Sequence, residues 1–292
     1  MSFADLPPLP PMIHPEANDY AATATALSKR ALNVCRSVLD IPYGADYWQR
    51  LDLFLPATPP TRPLPVLAFV HGSAWMSGCK EWLGFMAPSF VGLPALFVSI
   101  SYRKAPQHRL STQLDDIISA LAWIAANIGR HGGDSARLFL GGHSAGGHLA
   151  ALAALRPDLL TAKGLAAEAI KGVLPVSAAY DFRPDPETFD DTMRQVHAKV
   201  LDDPGRAAEF SPITHAGNCR APFLVAWGEH DFLRTRRQGP AMVAALRRHG
   251  ARVGALELAG DGHFDTSIRA ANAHSDWVEA ALGLIADGRL PA

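Results

Sequence analysis

Arg137-Leu138-Phe139-Leu140-Gly141-Gly142-His143-Ser144-Ala145-Gly146-Gly147-His148-Leu149-Ala150-Ala151-Leu152 decides the fold. Its first four residues are a short, mostly apolar run that reads as a buried strand. From Gly147 to Leu155 the chain is rich in Ala and Leu and reads as a helix. A strand that turns through G-x-S-x-G into a helix holds its serine at the tip of a tight turn. Gly142 and Gly146 then sit where only small residues fit. The helix that follows aims its first N–H groups at the space beside the hydroxyl, where negative charge is stabilised. The pentapeptide alone is a weak signal, and its plain alternative is an ordinary Gly-rich turn.

The chain outside this stretch repeats strand and helix. Before it, Val66-Leu67-Ala68-Phe69-Val70 and Ala95 to Ile100 are continuously apolar, the mark of strands buried on both faces. Leu114 to Ile128 has helical spacing, and His131-Gly132-Gly133-Asp134 turns the chain into the central strand. After it come strands at Gly172–Val176, Phe223–Trp227 and Arg252–Leu258, and helices at Pro240–His249 and Ser267–Ala286. Nearer the start, Cys35–Ile41 reads as a first strand. Tyr47–Leu55 alternates and predicts an antiparallel strand with one wet face. Residues 1–18 are a Pro-rich arm, and Asp19–Val34 reads as a helix that packs on or partly caps the rest. Residues 182–216 read as a short insertion with a helix near Glu187–Leu201. The pattern predicts a mostly parallel, twisted α/β sheet of about eight strands with helices on both faces.

Composition narrows the function classes. The chain has 292 residues, 48% hydrophobic and 19% charged, enough for a large core. A formal net charge of −1, with no run of one sign, gives no electrostatic footprint for nucleic acid. Cys35, Cys79 and Cys219 are widely spaced and odd in number, so three free thiols in a reducing cytoplasm are expected. Met1 to Pro15 lacks the pattern of a secretory signal, and no run of 18 apolar residues predicts a membrane span.

In such sheets, sites form at the carboxyl ends of the strands. Ser144, Asp231 and His263 each follow a strand, in that chain order, and His71-Gly72-Ser73 follows an earlier one. A serine hydroxyl needs a base, which His263 supplies. The imidazolium that forms needs a carboxylate, for which Asp231 is placed better than Glu229 or Asp265. The N–H groups of Ala145, Gly72 and Ser73 are the expected donors to an oxyanion. Asp181 reads as a turn or N-cap residue, His71 as a brace for its loop, and His143 and His148 as packing residues. Trp75, Tyr180, Phe232 and Phe264 adjoin these loops and are expected to line an aromatic substrate pocket.

With these residues the chain resembles the α/β-hydrolase superfamily, in particular the esterases related to hormone-sensitive lipase and the arylformamidases (kynurenine formamidases). His71-Gly72-Ser73-Ala74-Trp75 is similar to the H-G-G-x-W loop of these proteins. Ser101-Tyr102-Arg103-Lys104-Ala105-Pro106 is similar to their Y-R-L-A-P stretch, and Gln49 to Pro56 to their second strand. Gly142 to Ala150 is similar to their serine elbow. Gly228-Glu229-His230-Asp231 and Asp261-Gly262-His263-Phe264 are similar to their acid and base loops. The resemblance implies an α/β-hydrolase fold over residues 41–292 with a small lid near 182–216, and residues 1–40 as an arm and helix packed on it. It implies a carboxylesterase that cleaves a small or aromatic ester through an acyl-serine, without metal or cofactor. An arylformamidase or amidase acting on an N-formyl or N-acyl arylamine is the alternative, and an inactive ligand-binding relative is the third. Ser73 departs from the second glycine of the loop, and Trp75 leans toward the arylformamidase branch. The expected partner is a small-molecule ester or amide, and a homodimer is compatible with the sequence.

Overall fold

The computed structural model describes residues 6–92 and 95–291, so the first five residues of the Pro-rich arm lie outside it. In chain order the elements are α1 (Glu16–Ala31), β1 (Arg36–Pro42), β2 (Arg50–Leu55), β3 (Leu64–Val70), α2 (Ala87–Val91) and β4 (Leu96–Ile100). They continue with α3 (Leu110–Asn127), β5 (Gly133–His143), α4 (Ala145–Ala154), α5 (Pro157–Ala162), β6 (Ile170–Val176) and α6 (Asp191–Val200). Last come β7 (Phe223–His230), α7 (Leu233–Arg248), β8 (Val253–Gly262), α8 (Asp265–Ile268) and α9 (Asp276–Asp287). The strands form one eight-stranded sheet in the order β1-β2-β4-β3-β5-β6-β7-β8. From β4 to β8 every pairing is parallel, while β2 runs antiparallel to β1 and β4. This is the expected α/β-hydrolase architecture.

The alternation of a strand sorts the core into two layers. Val66, Ala68 and Val70 of β3 face one side with Leu138 and Leu140 of β5, and meet α3, α4 and α7 through Ile117, Leu149 and Met242. Leu67, Phe69, Phe97 and Phe139 face the other side and meet α1, α2 and α9 through Tyr20, Phe90 and Trp277. Phe69 and Phe90 both lie edge-on to Trp277, with ring centres 5.7 and 6.0 Å away. Both faces are covered, which is why these strands read as continuous apolar runs.

The strand order also places the loops. After β3 the chain moves out to β4, and after β4 it crosses back to β5 on the other side of β3. A crevice therefore opens at the carboxyl ends of the strands where the order reverses.

Three readings of the sequence need correction. The supposedly wet face of β2 is buried, because its polar residue Asp52 is only 2% exposed and engages Lys80. Lys80 Nζ also reaches Asp40 and Glu81, at 2.7 Å each. Burial alone would lower the pKa of Lys80, but Asp52 and Glu81 outweigh it and raise the pKa. The segment 267–286 is not one helix. Asn272 adopts an extended conformation and accepts from His274 N–H, an Asx turn that separates α8 and a 3-10 turn at Arg269–Ala271 from α9. Finally, α7 begins at Leu233 and carries Pro240 inside it at an exposed position, instead of starting there.

Lys80→Met would leave three carboxylates facing each other without their cation. We expect a loss of about 3–5 kcal/mol in unfolding free energy by denaturant titration. A loss below about 1 kcal/mol would mean that the cluster is dispensable.

Candidate active site

The turn between β5 and α4 is built by exclusion. A Cβ on Gly142 would come within 2.4 Å of the Gly146 backbone, and one on Gly146 within 2.1 Å of the Val70 carbonyl oxygen. No L side chain fits at either place. Ser144 itself stands at φ 54°, ψ −119°, a strained conformation that the packing imposes. Its N–H is tied to Val176 O at 2.9 Å, so the hydroxyl projects from a fixed backbone.

Three side chains from three loops meet there. Ser144 Oγ lies 2.9 Å from His263 Nε2, and His263 Nδ1 lies 2.7 Å from Asp231 Oδ1. With Nδ1–H donating to the carboxylate, Nε2 is the acceptor for the serine hydroxyl. Burial alone would raise the pKa of Asp231. The hydrogen bond and charge of His263, with help from Ser177 and the Phe232 N–H, outweigh it and hold the carboxyl at about 2. Glu229 is engaged elsewhere, accepting from Gly260 N–H, and Asp265 accepts from Gly262 N–H. Asp181 makes an Asx turn with Arg183 N–H.

Further residues support this set, Ser177 and Thr266 among them without any mark in the sequence. The carbonyl of His263 accepts from His143 Nε2–H at 2.8 Å and from Thr266 Oγ1–H at 2.9 Å. Ser177 Oγ is 2.8 Å from Thr266 Oγ1. Burial, aided by the neighbouring His263, lowers the pKa of His143 to about 3, so this ring is a neutral donor. His148 is neutral for the same reason, its pKa lowered to about 3 by burial. It accepts from the Trp75 indole N–H at Nδ1 and donates to Phe210 O from Nε2. His71 stacks on Tyr102 with ring centres 4.5 Å apart and donates from Nδ1 to Gly72 O, the bracing role its position suggested.

The loop after β3 faces the same point. A Cβ on Gly72 would lie 3.1 Å from Ser144 Cβ, which sets its backbone against the serine. Ser73, Ala74 and Trp75 all have positive φ, at 84°, 51° and 62°, an unusual run for residues with side chains. The turn is held by Met76 and Ser77 N–H groups donating to Ser73 O, and by Ala105 N–H and Gln113 Nε2 donating to Trp75 O. Ala145 N–H opens α4 and has no acceptor within its own helix.

A cavity of about 320 Å³ opens over these groups, the size of a small-ligand pocket. Trp75, Phe232 and Phe264 line it, together with Ser144 and His263. Tyr180 does not. It is buried in the core, and Ala179 beside it reaches the cavity instead. One wall comes from the start of the chain, through Ile13, His14, Ala17 and Tyr20, and another from Glu187, Thr188, Asp190, Thr192, Met193 and Val196. His14 stacks on Phe232 at 4.7 Å, and Phe232 stacks on His263 at 4.3 Å. No sequence motif marks His14 or Tyr20, which are far from every loop they touch.

The chain is 34% identical over 236 residues to Esterase LipC of Mycobacterium tuberculosis, covering 76% of this chain and 58% of that protein. It is 26% identical over 239 residues to the kynurenine formamidase of Danio rerio, covering 81% of this chain and 78% of that protein. Among solved structures, a provisionally assigned thioesterase from Silicibacter sp. TM1040 superposes with a TM-score of 0.74 at 28% identity, covering 91% of this chain and 93% of that one. The chain spans little more than half the length of the mycobacterial esterases it matches. A family model described as the alpha/beta hydrolase fold matches residues 67–265. That stretch holds the serine turn, the Gly72 loop and both partners of Ser144, and on it the chain belongs to the alpha/beta hydrolase fold family.

Proposed function

We propose that the protein is a serine carboxylesterase that cleaves a small or aromatic ester. The observation that carries this reading is the hydrogen-bonded series Ser144–His263–Asp231 at the carboxyl edge of the sheet. Ser144 Oγ attacks the ester carbonyl while His263 Nε2 takes its proton. Asp231 keeps the ring in the right tautomer and balances its charge. The oxyanion faces the N–H groups of Ala145, Gly72 and Ser73. Collapse expels the alcohol, which takes the proton back from His263. Water then repeats the sequence on the acyl-serine and frees the acid. Trp75, Phe232 and Phe264 give the substrate apolar surface, and the segment 182–216 acts as a lid. Of the arm and helix expected at residues 1–40, the described part packs on the domain that follows and supplies its remaining wall through Ile13, His14, Ala17 and Tyr20. The unpaired Cys35, Cys79 and Cys219 support a reducing, cytoplasmic setting.

A second reading, hydrolysis of an N-formyl arylamine, has one specific support: the zebrafish kynurenine formamidase is matched over 78% of its length. The deciding experiment is steady-state hydrolysis of 4-nitrophenyl acetate, butyrate and octanoate, phenyl benzoate, an acyl thioester and an N-formyl arylamine. Ester turnover well above formamide turnover supports the first reading, and the reverse moves the assignment to a formamidase.

Ser144→Ala is expected to lose turnover of every substrate and labelling by an organophosphonate while keeping its thermal midpoint. Asp231→Asn is expected to lower kcat by about 10⁴-fold. Near-normal rates in either variant would refute the assigned role. The carboxyl of Asp231 also predicts a stability profile. Its pKa lies below the ordinary value of 3.8 in the folded chain. Its contribution is therefore fully present above pH 3.8 and is lost as pH falls toward 2. The gap in unfolding free energy between wild type and Asp231→Asn should narrow by about 2 kcal/mol over that range. A gap independent of pH would contradict the pairing with His263.

A further inference from the structure

The cavity holds one charge that this chemistry does not use. Arg234 is the second residue of α7, three positions after Asp231, and lines the cavity together with Ser144 and His263. It is the only lysine or arginine among the described residues that does so. The residue is half-buried, and among the described residues its guanidinium makes no ion pair and no hydrogen bond. Arg237, one helical turn on, shows the usual arrangement and pairs with Glu187 and Asp185.

The two carboxylates nearest in field are already engaged. Asp231 is held by His263, and Asp190 caps α6 by accepting from Met193 N–H. Burial lowers the pKa of Arg234 to about 10, opposed by Asp190 and Asp231, so the side chain stays cationic at neutral pH. The neighbouring rings do not share the task. Burial and the charge of His263 lower the pKa of both His14 and His143. The place is also unfavourable for a cation, since the first turn of α7 has no acidic residue and its free N–H groups are themselves positive. A guanidinium held there without an acceptor is costly, and a bound anion removes the cost.

We propose that Arg234 binds a carboxylate carried by the substrate, so that the preferred esters are monoanions. This rests on the esterase reading of Ser144 for the turnover part of its test. A carboxylate suits one planar guanidinium, which it meets through two parallel hydrogen bonds. Glu187 and Asp190 also line the cavity and disfavour a more highly charged group such as a phosphate dianion.

The test uses matched pairs with the full chain. One pair places the charge on the leaving group, 4-acetoxybenzoate against 4-acetoxybenzamide. The other places it on the acyl group, mono-4-nitrophenyl suberate against its methyl ester. We expect kcat/KM to favour the anion at least tenfold in one pair. Arg234→Gln should erase at least tenfold of that ratio, and Arg234→Lys should retain most of it. Ratios near one in the wild type, an unchanged ratio in Arg234→Gln, or a Lys variant as indifferent as the Gln variant would each overturn the proposal.

A binding measurement separates this inference from the esterase reading. In the Ser144→Ala background, calorimetry compares benzoate with benzamide and hexanoate with hexanamide. The carboxylate of at least one pair should bind at least tenfold more tightly, and Arg234→Gln should remove the difference. Equal affinities overturn the proposal whether or not any ester is turned over. Failure of turnover on every ester, with the carboxylate preference intact, would sink the esterase reading and leave the anion site standing.

Discussion

The first turn of α4 lies against the end of β3 with no space for a side chain between them. Gly146 meets the Val70 and His71 carbonyl oxygens at a distance only a hydrogen can occupy. That contact fixes where the serine turn stands relative to the loop after β3. Because β3 and β5 are neighbours in a parallel sheet, both loops leave from the same edge and in register. The serine hydroxyl, the first N–H of α4 and the backbone at Gly72 therefore arrive at one point without any long-range adjustment. The strain at Ser144, Ser73, Ala74 and Trp75 is held by the same packing and by the hydrogen bonds on the Trp75 and Ser73 carbonyls.

Around this point the imidazole of His263 is positioned from every side. Its two nitrogens are used by Ser144 and Asp231, and its carbonyl is held by His143 and Thr266. Phe232 covers one face of its ring, and His14 covers the far face of Phe232. Burial lowers the pKa of His143, His148 and His71, so these rings are neutral. The histidine-rich interior thus works as a set of fixed hydrogen-bond donors and acceptors around the ring of His263.

Much of this was legible in the sequence because the relevant signals are local. Ser144, Asp231 and His263 each sit just after a strand, and period and apolarity mark those strands plainly. The errors have physical causes. Asp52 looked like solvent-facing polarity because a sequence does not show that Lys80, 28 residues away, buries with it. Residues 267–286 kept helical spacing across Asn272 to Ser275, where side-chain hydrogen bonding to the backbone favours a turn. Tyr180 lies near a site loop in sequence, but its neighbour Ala179 is the residue that faces the pocket. His14 and Tyr20 were invisible because their roles arise from packing against residues more than a hundred positions away. Arg234 follows Asp231 by three residues, so its place beside the site is itself a local signal.

The wall contributed by α1 ties the two ends of the fold together. Tyr20 hydroxyl is 3.1 Å from Ser267 Oγ across 247 positions, and its ring touches His143, Phe264 and Trp82. Most of α1 packs on the 3-10 turns at Lys80–Trp82 and Gly84–Met86, where Phe85 N–H donates to Ser28 Oγ, but the contacts of Tyr20 with Phe264 and Ser267 must wait for the segment that follows β8. Those late contacts carry the entropic cost of closing a loop of 247 positions, a cost that α1, already docked on its nearer partners, meets in part beforehand. The pocket is thus a late product of folding, completed when the segment around Tyr20 meets the segment that follows β8.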